Sequence, residues 1–446
     1  MKNPSLSKFT TCAVTALAII AGISGCRKLP VAEKVNAYRD AVPNPPNTVG
    51  GPAIGNIGPL IGIPNTTVTL AGINIDPVAA NNIITINGVP APITSVIVTN
   101  VVPGSVPKVT LAFTVPANAT SGKVVLTTNG KEITWPVDFK VLSATVSTYA
   151  DLGSNYIEHI AFDRNGIAYG EYVDKVFRIS QSGAVTLFKD GSGGKPFKFI
   201  WGIAADAFNE VYVPDALDHR IYKIQESGVP RILAGNGIDG VVDGVGPQVR
   251  FGAPRGIARD LSGNLYITDV HRVRKISTSA EVTTIAGSDN EGSVDGKGAA
   301  AQFGALDGIA VDTAGNIYVS DRRYYNIRKI RPDGTVTTLA GSGTAGMTDG
   351  QGTQATFNDP RGMVVDNQGN VFVSDQNTAT STYAIRTINK AGNVVTFIKG
   401  TSSTGVINGP VATASVNSPN GLAFGPDDNL YIVNTGAKIV SKVTLK

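Results

Sequence analysis

The sequence predicts an all-β protein in which a smaller unit precedes a large ring of repeated sheets. A short apolar signature opens each repeat and occurs six times, beginning at His159, Gly202, Gly256, Gly308, Gly362 and Gly421. The copies lie 43 to 59 residues apart, which is the length of four short strands and too long for helical solenoid repeats. Within a copy, as in GIAVDTAGNIYVSDRRYYNIRKIRPDGTVTTLAG, Gly, Asp and Pro separate four β-branched and aromatic runs. Such meanders must stack on one another to bury their apolar faces, so the pattern predicts the blades of a propeller.

The ends of the repeat region predict how this propeller closes. The last copy contains only three strands before Lys446. The segment ATVSTYA, from Ala144 to Ala150, resembles the fourth-strand sequences VTTIAG and VTTLAG of other copies. We therefore expect the N-terminal strand to complete the last of six blades, over residues 143–446.

The repeats resemble bacterial NHL-repeat six-bladed β-propellers. The third to fifth copies carry Asp-x-x-Gly-Asn-(Leu/Ile/Val)-(Tyr/Phe)-(Ile/Val)-(Ser/Thr)-Asp, as between Asp312 and Asp321, while the sixth copy has Gly425 at the first aspartate. The aspartates Asp206, Asp260, Asp312 and Asp366 are explained by turn geometry, in which a carboxylate accepts backbone N–H groups. His219 and His271, next to third-strand arginines, are interpreted as structural.

Residues 1–26 are predicted to be a lipoprotein signal peptide. Lys2 and Lys8 precede an apolar stretch, and Ile23-Ser24-Gly25-Cys26 resembles the lipobox of bacterial lipoproteins. The resemblance implies that Cys26 is acylated and anchors the chain in the outer membrane, and the alternative is an ordinary secretory signal before an incidental cysteine. Whether the protein would face the cell surface or the periplasm stays open, because Arg27 and Lys28 replace the acidic run of Bacteroidetes surface-export signals.

Residues 27–50 are rich in Pro, Asn and charge and are predicted to form a flexible tether. Residues 51–142 show short strands about every ten residues, with an Asn87-Gly88 pair suited to a tight hairpin. The segments VTLAGINI, ITINGVPAPI and LAFTVPANATSGKVVLTT resemble the IPT/TIG family of immunoglobulin-like domains. This resemblance implies a sandwich that serves as a spacer or interaction module.

Four connections between repeats are long, and each spans 21 positions, as from Gly235 to Gly256. Each contains an Asp-Gly or Asn-Gly pair and an apolar anchor; these residues are Asp243, Asp295, Asp349 and Asn408, and Phe251, Phe303, Phe357 and Val416. The regularity favours a scaffold of turns and buried anchors. We expect no cofactor, and calcium or another divalent metal at the aspartates is the alternative, although no loop has EF-hand spacing.

Candidate ligand-binding residues lie where the repeats differ, on the side of the ring that carries the long connections. The residue before each signature position varies, and the six are Glu158, Trp201, Arg255, Asp307, Arg361 and Asn420. We add His159, which replaces the glycine of its repeat, and Tyr324 and Tyr325 in a neighbouring loop. Aromatic, arginine and carboxylate groups around one opening suit a sugar or a protein partner.

The sequence favours a binding protein without deciding whether the chain is an enzyme. It shows no Ser-His-Asp or cysteine nucleophile signature, and its three histidines form no metal-ligand cluster, although Glu158, His159 and Asp307 from different blades could converge on a metal. The formal charge of +4 comes largely from residues 1–50, so we expect no nucleic-acid partner. The layout resembles glycan-binding lipoproteins of Bacteroidetes polysaccharide utilisation. The leading hypothesis is therefore glycan capture by a monomer or a component of an outer-membrane complex, with a metal-dependent hydrolase or lyase and an envelope protein scaffold as alternatives.

Overall fold

The computed structural model describes residues 51–58, 61–62, 67–99, 106–116, 119–141, 144–190 and 197–445. The predicted signal peptide, Cys26 and the tether lie outside these residues. The described part is all β, with many antiparallel sheets, four short 3₁₀ turns and no α-helix. No helix among the described residues is long and apolar enough to cross a membrane.

Two four-stranded antiparallel sheets and one parallel strand pair lie between residues 53 and 141. Across the first sheet the strands are β1 (Ala53–Gly58), β3 (Thr67–Ile73), β7 (Lys108–Thr114) and β6 (Ile93–Thr99). Across the second they are β5 (Val89–Ala91), β4 (Asn82–Ile86), β8 (Val124–Thr128) and β9 (Lys131–Thr134); the parallel pair is β2 (Ile61–Gly62) and β10 (Lys140–Val141). Alternate residues of both sheets, such as Leu70, Ile84 and Leu111, point into one shared core.

The predicted Asn87-Gly88 hairpin is confirmed. It joins β4 to β5, and the two residues have φ angles of 47° and 80°. Asparagine and glycine tolerate this left-handed region, which the two-residue turn between twisted strands requires.

Six further antiparallel sheets, called the ring sheets below, occupy residues 144–445. The first contains β12 (His159–Phe162), β13 (Ala168–Tyr172), β14 (Lys175–Ile179) and β15 (Val185–Asp190), and the second contains β16 (Ala204–Ala205), β17 (Val211–Asp215), β18 (Arg220–Ile224) and β19 (Pro230–Ala234). The third contains β20 (Gly244–Val245), β21 (Pro254–Arg259), β22 (Leu265–Asp269), β23 (Arg272–Ile276) and β24 (Glu281–Gly287), and the fourth contains β25 (Gly296–Lys297), β26 (Leu306–Val311), β27 (Ile317–Asp321), β28 (Asn326–Ile330) and β29 (Thr335–Ala340). The fifth contains β30 (Gly350–Gln351), β31 (Pro360–Val365), β32 (Val371–Asn377), β33 (Thr382–Ile388) and β34 (Asn393–Thr401), and the sixth contains β11 (Ala144–Asp151), β35 (Gly409–Pro410), β36 (Pro419–Phe424), β37 (Leu430–Asn434) and β38 (Ile439–Leu445).

The sixth sheet joins the two ends of the repeat region. Strand β11 pairs antiparallel with β38, from Ala144 opposite Leu445 to Asp151 opposite Ile439. This is the pairing that the sequence predicts for the strand before the first repeat. The short strand β35 then pairs with the far edge of β11, as β20, β25 and β30 do with the outer strands of their own sheets, and so covers an open edge.

The first strands of the ring sheets pack side by side in a closed order: β12, β16, β21, β26, β31, β36 and again β12. This close packing explains the signature glycines. A Cβ atom on Gly256, Gly308 or Gly362 would overlap with the backbone oxygen of Asp307, Arg361 or Asn420 on the next sheet. The backbones of Asp307, Arg361 and Asn420 are thus packed closely against the neighbouring sheet.

Other repeated residues are used as the sequence predicts. Asp260 Oδ1 accepts a hydrogen bond from the Asn264 amide at 2.8 Å, and Asp206, Asp312 and Asp366 make the equivalent bond in their own turns. Nδ1 of His219 and of His271 lies 2.6 Å and 2.7 Å from the carbonyl oxygens of Gly252 and Gly304. Both histidines therefore connect neighbouring ring sheets.

Candidate functional site

The six variable residues lie at the start of the innermost strands. Glu158 and Trp201 precede β12 and β16, and Arg255, Asp307, Arg361 and Asn420 are the second residues of β21, β26, β31 and β36. Asp307 and Asn420 are 1% and 3% exposed, whereas the other four are partly exposed. We call these six residues and His159 the inner ring.

A chain of hydrogen bonds crosses the inner ring. Trp201 Nε1 donates to Asp307 Oδ1 at 2.8 Å, so the indole of the second sheet reaches the carboxylate of the fourth. The other carboxylate oxygen of Asp307 lies 3.3 Å from Nη1 of Arg322, which also binds Asp359 through Nε at 2.5 Å and Nη2 at 3.1 Å. Asp359 in turn accepts from Arg361 Nε at 2.8 Å. These bonds use both oxygens of Asp307 and fix the plane of the Trp201 indole.

Asp359 is held as an anion. Burial alone would raise the pKa of its carboxyl group, but the hydrogen bonds and charges of Arg322 and Arg361 lower it below its ordinary value. The pKa of Arg322 is raised in turn, because the charges and hydrogen bonds of Asp307 and Asp359 outweigh the effect of burial. This part of the inner ring is therefore a neutralised network whose polar groups are largely paired within the protein.

His159 occupies the one signature position of the six that is not glycine. Its Nδ1 lies 2.6 Å from Oε1 of Glu171, and its ring centroid lies 6.3 Å from that of Trp201. Burial lowers the pKa of an imidazole, but the charge and hydrogen bond of Glu171 outweigh it and raise the pKa of His159 to about 9. His159 is therefore an imidazolium near neutral pH.

Three residues of the inner ring retain unpaired polar groups. The Glu158 carboxylate accepts no hydrogen bond from the described residues, and the buried Oδ1 of Asn420 has no partner there either. Burial and the neighbouring Glu171 charge raise the pKa of Glu158, while His159 and Arg361 oppose this shift. Arg255 lies with Cζ 5.3 Å from the centroid of the Trp201 ring and makes no hydrogen bond or ion pair within the described part of the chain. Because a buried polar group is normally hydrogen-bonded, Oδ1 of Asn420 is a candidate for contact with a ligand. Glu158 and Arg255 are partly exposed and lie in the same inner ring, where a ligand could reach them.

Tyr324 and Tyr325 lie in the loop between β27 and β28 and are partly exposed. The backbone of Tyr324 donates to Asp321 Oδ1 at 3.2 Å, and Tyr325 has a φ angle of 51°. No hydrogen bond joins either hydroxyl to another described residue. The structure thus gives no direct bond between these tyrosines and the inner ring.

The long connections are fastened by buried arginines. Arg274, Arg328 and Arg386 are fully buried and lie 5.1 Å to 5.2 Å from the ring centroids of Phe251, Phe303 and Phe357. Each arginine donates at 2.8 Å to the aspartate of the same connection, which is Asp243, Asp295 or Asp349. The predicted apolar anchors are therefore confirmed, and the aspartates serve as ion-pair partners in addition to forming turns.

The fourth long connection uses a neutral version of this arrangement. Asn408 stands in place of the aspartate, and its Nδ2 donates to Thr148 Oγ1 of β11 at 2.9 Å. Asp349 accepts from Thr396 Oγ1 of the outer strand β34 in the equivalent way, at 2.8 Å. Strand β11 thus supplies the contact that an outer strand makes elsewhere.

The described residues contain no group of three or more His, Cys, Asp or Glu side chains placed to hold a metal ion. In particular, Glu158, His159 and Asp307 do not form such a group. The Asp307 oxygens bind Trp201 and Arg322, and Nδ1 of His159 binds Glu171.

The sequence interpretation did not select Glu171, Arg322 or Asp359. A signal was nevertheless present, because each of the three differs from the equivalent residue of other copies. Glu171 replaces the aspartate of most copies, and Arg322 replaces Val270 of the third copy. Asp359 stands where the third and fourth copies have Ala253 and Ala305. The extra methylene of Glu171 lets its carboxylate reach both His159 and the Gly202 amide, the latter at 2.7 Å.

Comparison with solved structures shows the fold. A Bacteroides thetaiotaomicron protein of unknown function has a TM-score of 0.54 and 19% identity, covering 90% of this chain and 99% of its own. An auxiliary nutrient binding protein of the same species has a TM-score of 0.52 at 15% identity (89% and 98% covered), and one from Bacteroides ovatus has 0.51 at 16% identity (90% and 99% covered).

Sequence relatives cover only part of the chain, and no family model matches it. Protein SUPPRESSOR OF QUENCHING 1 of Arabidopsis thaliana is 31% identical over 201 residues, which is 41% of this chain and 19% of that protein. NHL repeat-containing protein 2 of Bos taurus is 29% identical over 154 residues, 32% of this chain and 21% of that protein. The chain thus matches about a fifth of the length of each relative. Its repeats are similar to those of an NHL-repeat protein, and its fold is similar to that of Bacteroides nutrient-binding proteins.

Proposed function

We propose that this chain is an outer-membrane lipoprotein that binds a carbohydrate on the loop-rich face of a six-bladed NHL-type β-propeller. In this proposal Cys26 carries the lipid anchor, residues 27–50 form a tether, and an IPT/TIG-like sandwich over residues 51–142 acts as a spacer. The six ring sheets with first strands in closed order support the propeller. The nutrient-binding description of two fold neighbours agrees with a binding role.

The observation that carries the proposal is a set of polar groups in the inner ring that have no hydrogen-bond partner among the described residues. Glu158 offers a carboxylate acceptor, Asn420 a buried amide with an unpartnered Oδ1, and Arg255 a guanidinium donor. Sugar hydroxyl groups both donate and accept hydrogen bonds, so a saccharide can satisfy all three kinds of group. The indole of Trp201, which Asp307 holds in place and over which Arg255 lies, adds an aromatic group beside these polar groups, as is common where proteins bind sugar rings.

The binding test uses soluble protein lacking residues 1–26 in a glycan array, followed by affinity gel electrophoresis on the glycans retained. Glu158→Gln keeps the shape of the side chain but removes the charged acceptor, and we expect it to weaken binding about tenfold or more, the value of a charge-assisted hydrogen bond of about 1.5–3 kcal/mol. Arg331→Gln is the matched control, because Arg331 is exposed in the turn between β28 and β29, away from the inner ring.

Three outcomes separate the hypotheses. Glycan binding that Glu158→Gln weakens and Arg331→Gln preserves supports the proposal. Glycan binding that both variants retain moves the site away from the inner ring. No retained glycan, together with a stoichiometric metal in the purified protein, contradicts glycan binding and favours hydrolysis or elimination.

A further inference from the structure

Arg255 and Arg361 occupy equivalent positions in two ring sheets but differ in how their charge is compensated. Both follow a proline and precede a signature glycine, in Ala253-Pro254-Arg255-Gly256 and Asp359-Pro360-Arg361-Gly362. The two segments also have the same register, because Pro254 lies opposite Asp269 and Pro360 opposite Asp375. Any difference between the two arginines therefore comes from their side-chain neighbours.

The decisive difference is the residue two positions earlier. Asp359 accepts a hydrogen bond from Arg361 Nε at 2.8 Å, which neutralises that arginine. The third sheet has Ala253 at this position, so Arg255 lacks the corresponding acid. The other acid nearby, Asp307, already binds Trp201 and Arg322 with its two oxygens.

Between residues 144 and 445, seven arginines have no carboxylate within 4 Å among the described residues, and Arg255 is the one of them that belongs to the inner ring; the others are Arg164, Arg178, Arg231, Arg250, Arg259 and Arg331. Eight others each have a carboxylate partner within 4 Å: Arg220, Arg272, Arg274, Arg322, Arg323, Arg328, Arg361 and Arg386. Arg255 has none among the described residues, and residues 191–196, the one gap between 144 and 445, contain no Asp or Glu. Its guanidinium is nevertheless oriented, because it lies over the Trp201 ring, whose own position is fixed by Asp307.

From this contrast we propose that the glycan is acidic and that Arg255 binds its carboxylate or sulfate group. A guanidinium presents paired N–H donors that match such an anion, and orientation by Trp201 reduces the entropy lost on binding. Glu158 and Asn420 then bind hydroxyl groups of the same sugar or of its neighbour. This inference rests on the proposed glycan-binding function and specifies its substrate class.

The test compares related oligosaccharides with and without an acidic group. Isothermal titration calorimetry measures binding of a galacturonic acid tetrasaccharide, its methyl-esterified form, a neutral galactose tetrasaccharide and a sulfated galactose oligosaccharide. We expect at least one acidic ligand to bind tenfold or more tighter than its neutral counterpart, and this preference to decline with added salt. The carboxylate and sulfate ligands show which anion is recognised.

Two variants test the role of Arg255. Ala253→Asp introduces the acid that the fifth sheet already contains, in a backbone environment that tolerates it: the Ala253 and Asp359 amides donate to Asp269 and Asp375 at 2.9 Å and 3.0 Å. We expect Ala253→Asp to abolish the preference for the acidic ligand while neutral binding remains. Arg255→Gln should also abolish the acidic preference, with a smaller loss of affinity for the neutral ligand because the glutamine amide can still donate to a sugar hydroxyl group; it serves as the second variant if Ala253→Asp unfolds, which thermal unfolding reports.

The outcomes distinguish this inference from the function on which it rests. Equal affinity for acidic and neutral glycans, or an acidic preference that survives both variants, overturns the role of Arg255 and leaves glycan binding intact. If none of these four glycans binds and the array retains no glycan, both proposals are wrong. Loss of the acidic preference in either folded variant, with neutral binding retained, supports the inference.

Discussion

The ion pair between His159 and Glu171 predicts how stability depends on pH. Glu171 is 1% exposed and His159 is 13% exposed, so solvent screens the pair little. The pKa of His159 is raised from 6.5 to about 9. The difference of about 2.5 between these values corresponds to about 3 kcal/mol of unfolding free energy, because each pKa unit is worth about 1.4 kcal/mol.

The sign follows from the direction of the shift. Because the folded protein binds the His159 proton more tightly than the unfolded chain does, this stabilisation is complete below about pH 6.5. It declines as the pH rises through about 9. Glu171→Gln removes the charge but keeps the shape, so burial dominates and the pKa of His159 should fall below its ordinary value. We therefore expect the wild type to lose about 3 kcal/mol of stability relative to Glu171→Gln between pH 6 and pH 10.

Two measurements test this prediction. The chain has only three histidines, so the ring-proton NMR signals of His159 can be assigned by their loss in His159→Gln and followed from pH 5 to pH 10. Urea unfolding of the wild type and Glu171→Gln at pH 6, 8 and 10 gives the free energies. A His159 titration midpoint at or below 6.5, or parallel pH profiles of the two proteins, would refute the reasoning.

Three further predictions concern the stability of the ring sheets, each measured by urea unfolding. Arg386→Met leaves the fully buried Asp375 without its cation and should cost about 3–5 kcal/mol, whereas Asp349→Asn, at a half-exposed partner, should cost about 1 kcal/mol or less; equal losses would contradict this. Gly308→Ala places a Cβ against the Arg361 carbonyl and should cost about 1–3 kcal/mol. The control Gly58→Ala lies in β1, outside the ring sheets, meets nothing within 4 Å, and should change stability by at most about 0.5 kcal/mol. Val146→Asp buries a charge in β11 and should cost several kcal/mol; a neutral result would mean that β11 contributes little to the sixth sheet.

Much of the fold could be read from the sequence because its determinants are local and repeated. In the turn at Asp260, the carboxylate accepts a hydrogen bond from the backbone amide four residues later. The same spacing recurs in other copies. The sequence of Ala144–Ala150 resembles that of a fourth strand, which identified it as the strand that completes the last repeat. It pairs with β38 as predicted. Phe251 was recognised as an anchor because it recurs at a constant distance from the next signature glycine.

The inner ring could be located but its contacts could not be predicted. The constant position before each signature residue identified Trp201 and Asp307 as neighbours of one opening. That the indole donates to this carboxylate, 106 residues away, depends on the curvature of the ring and on side-chain rotamers. Asp359 and Arg322 were missed for the same reason, because their ion pair joins two loops 37 residues apart.

The sequence by itself determined the strands, the turns and the order in which the ring sheets follow one another, because backbone hydrogen bonding and alternating burial depend on short, repeated spacings. Only the tertiary structure decided which charges neutralise one another. Asp243 is paired with Arg274 and Asp307 with Arg322, whereas Arg255 has no acid among the described residues. These pairings depend on distances of a few ångströms between different sheets, which residue spacing along the chain does not encode.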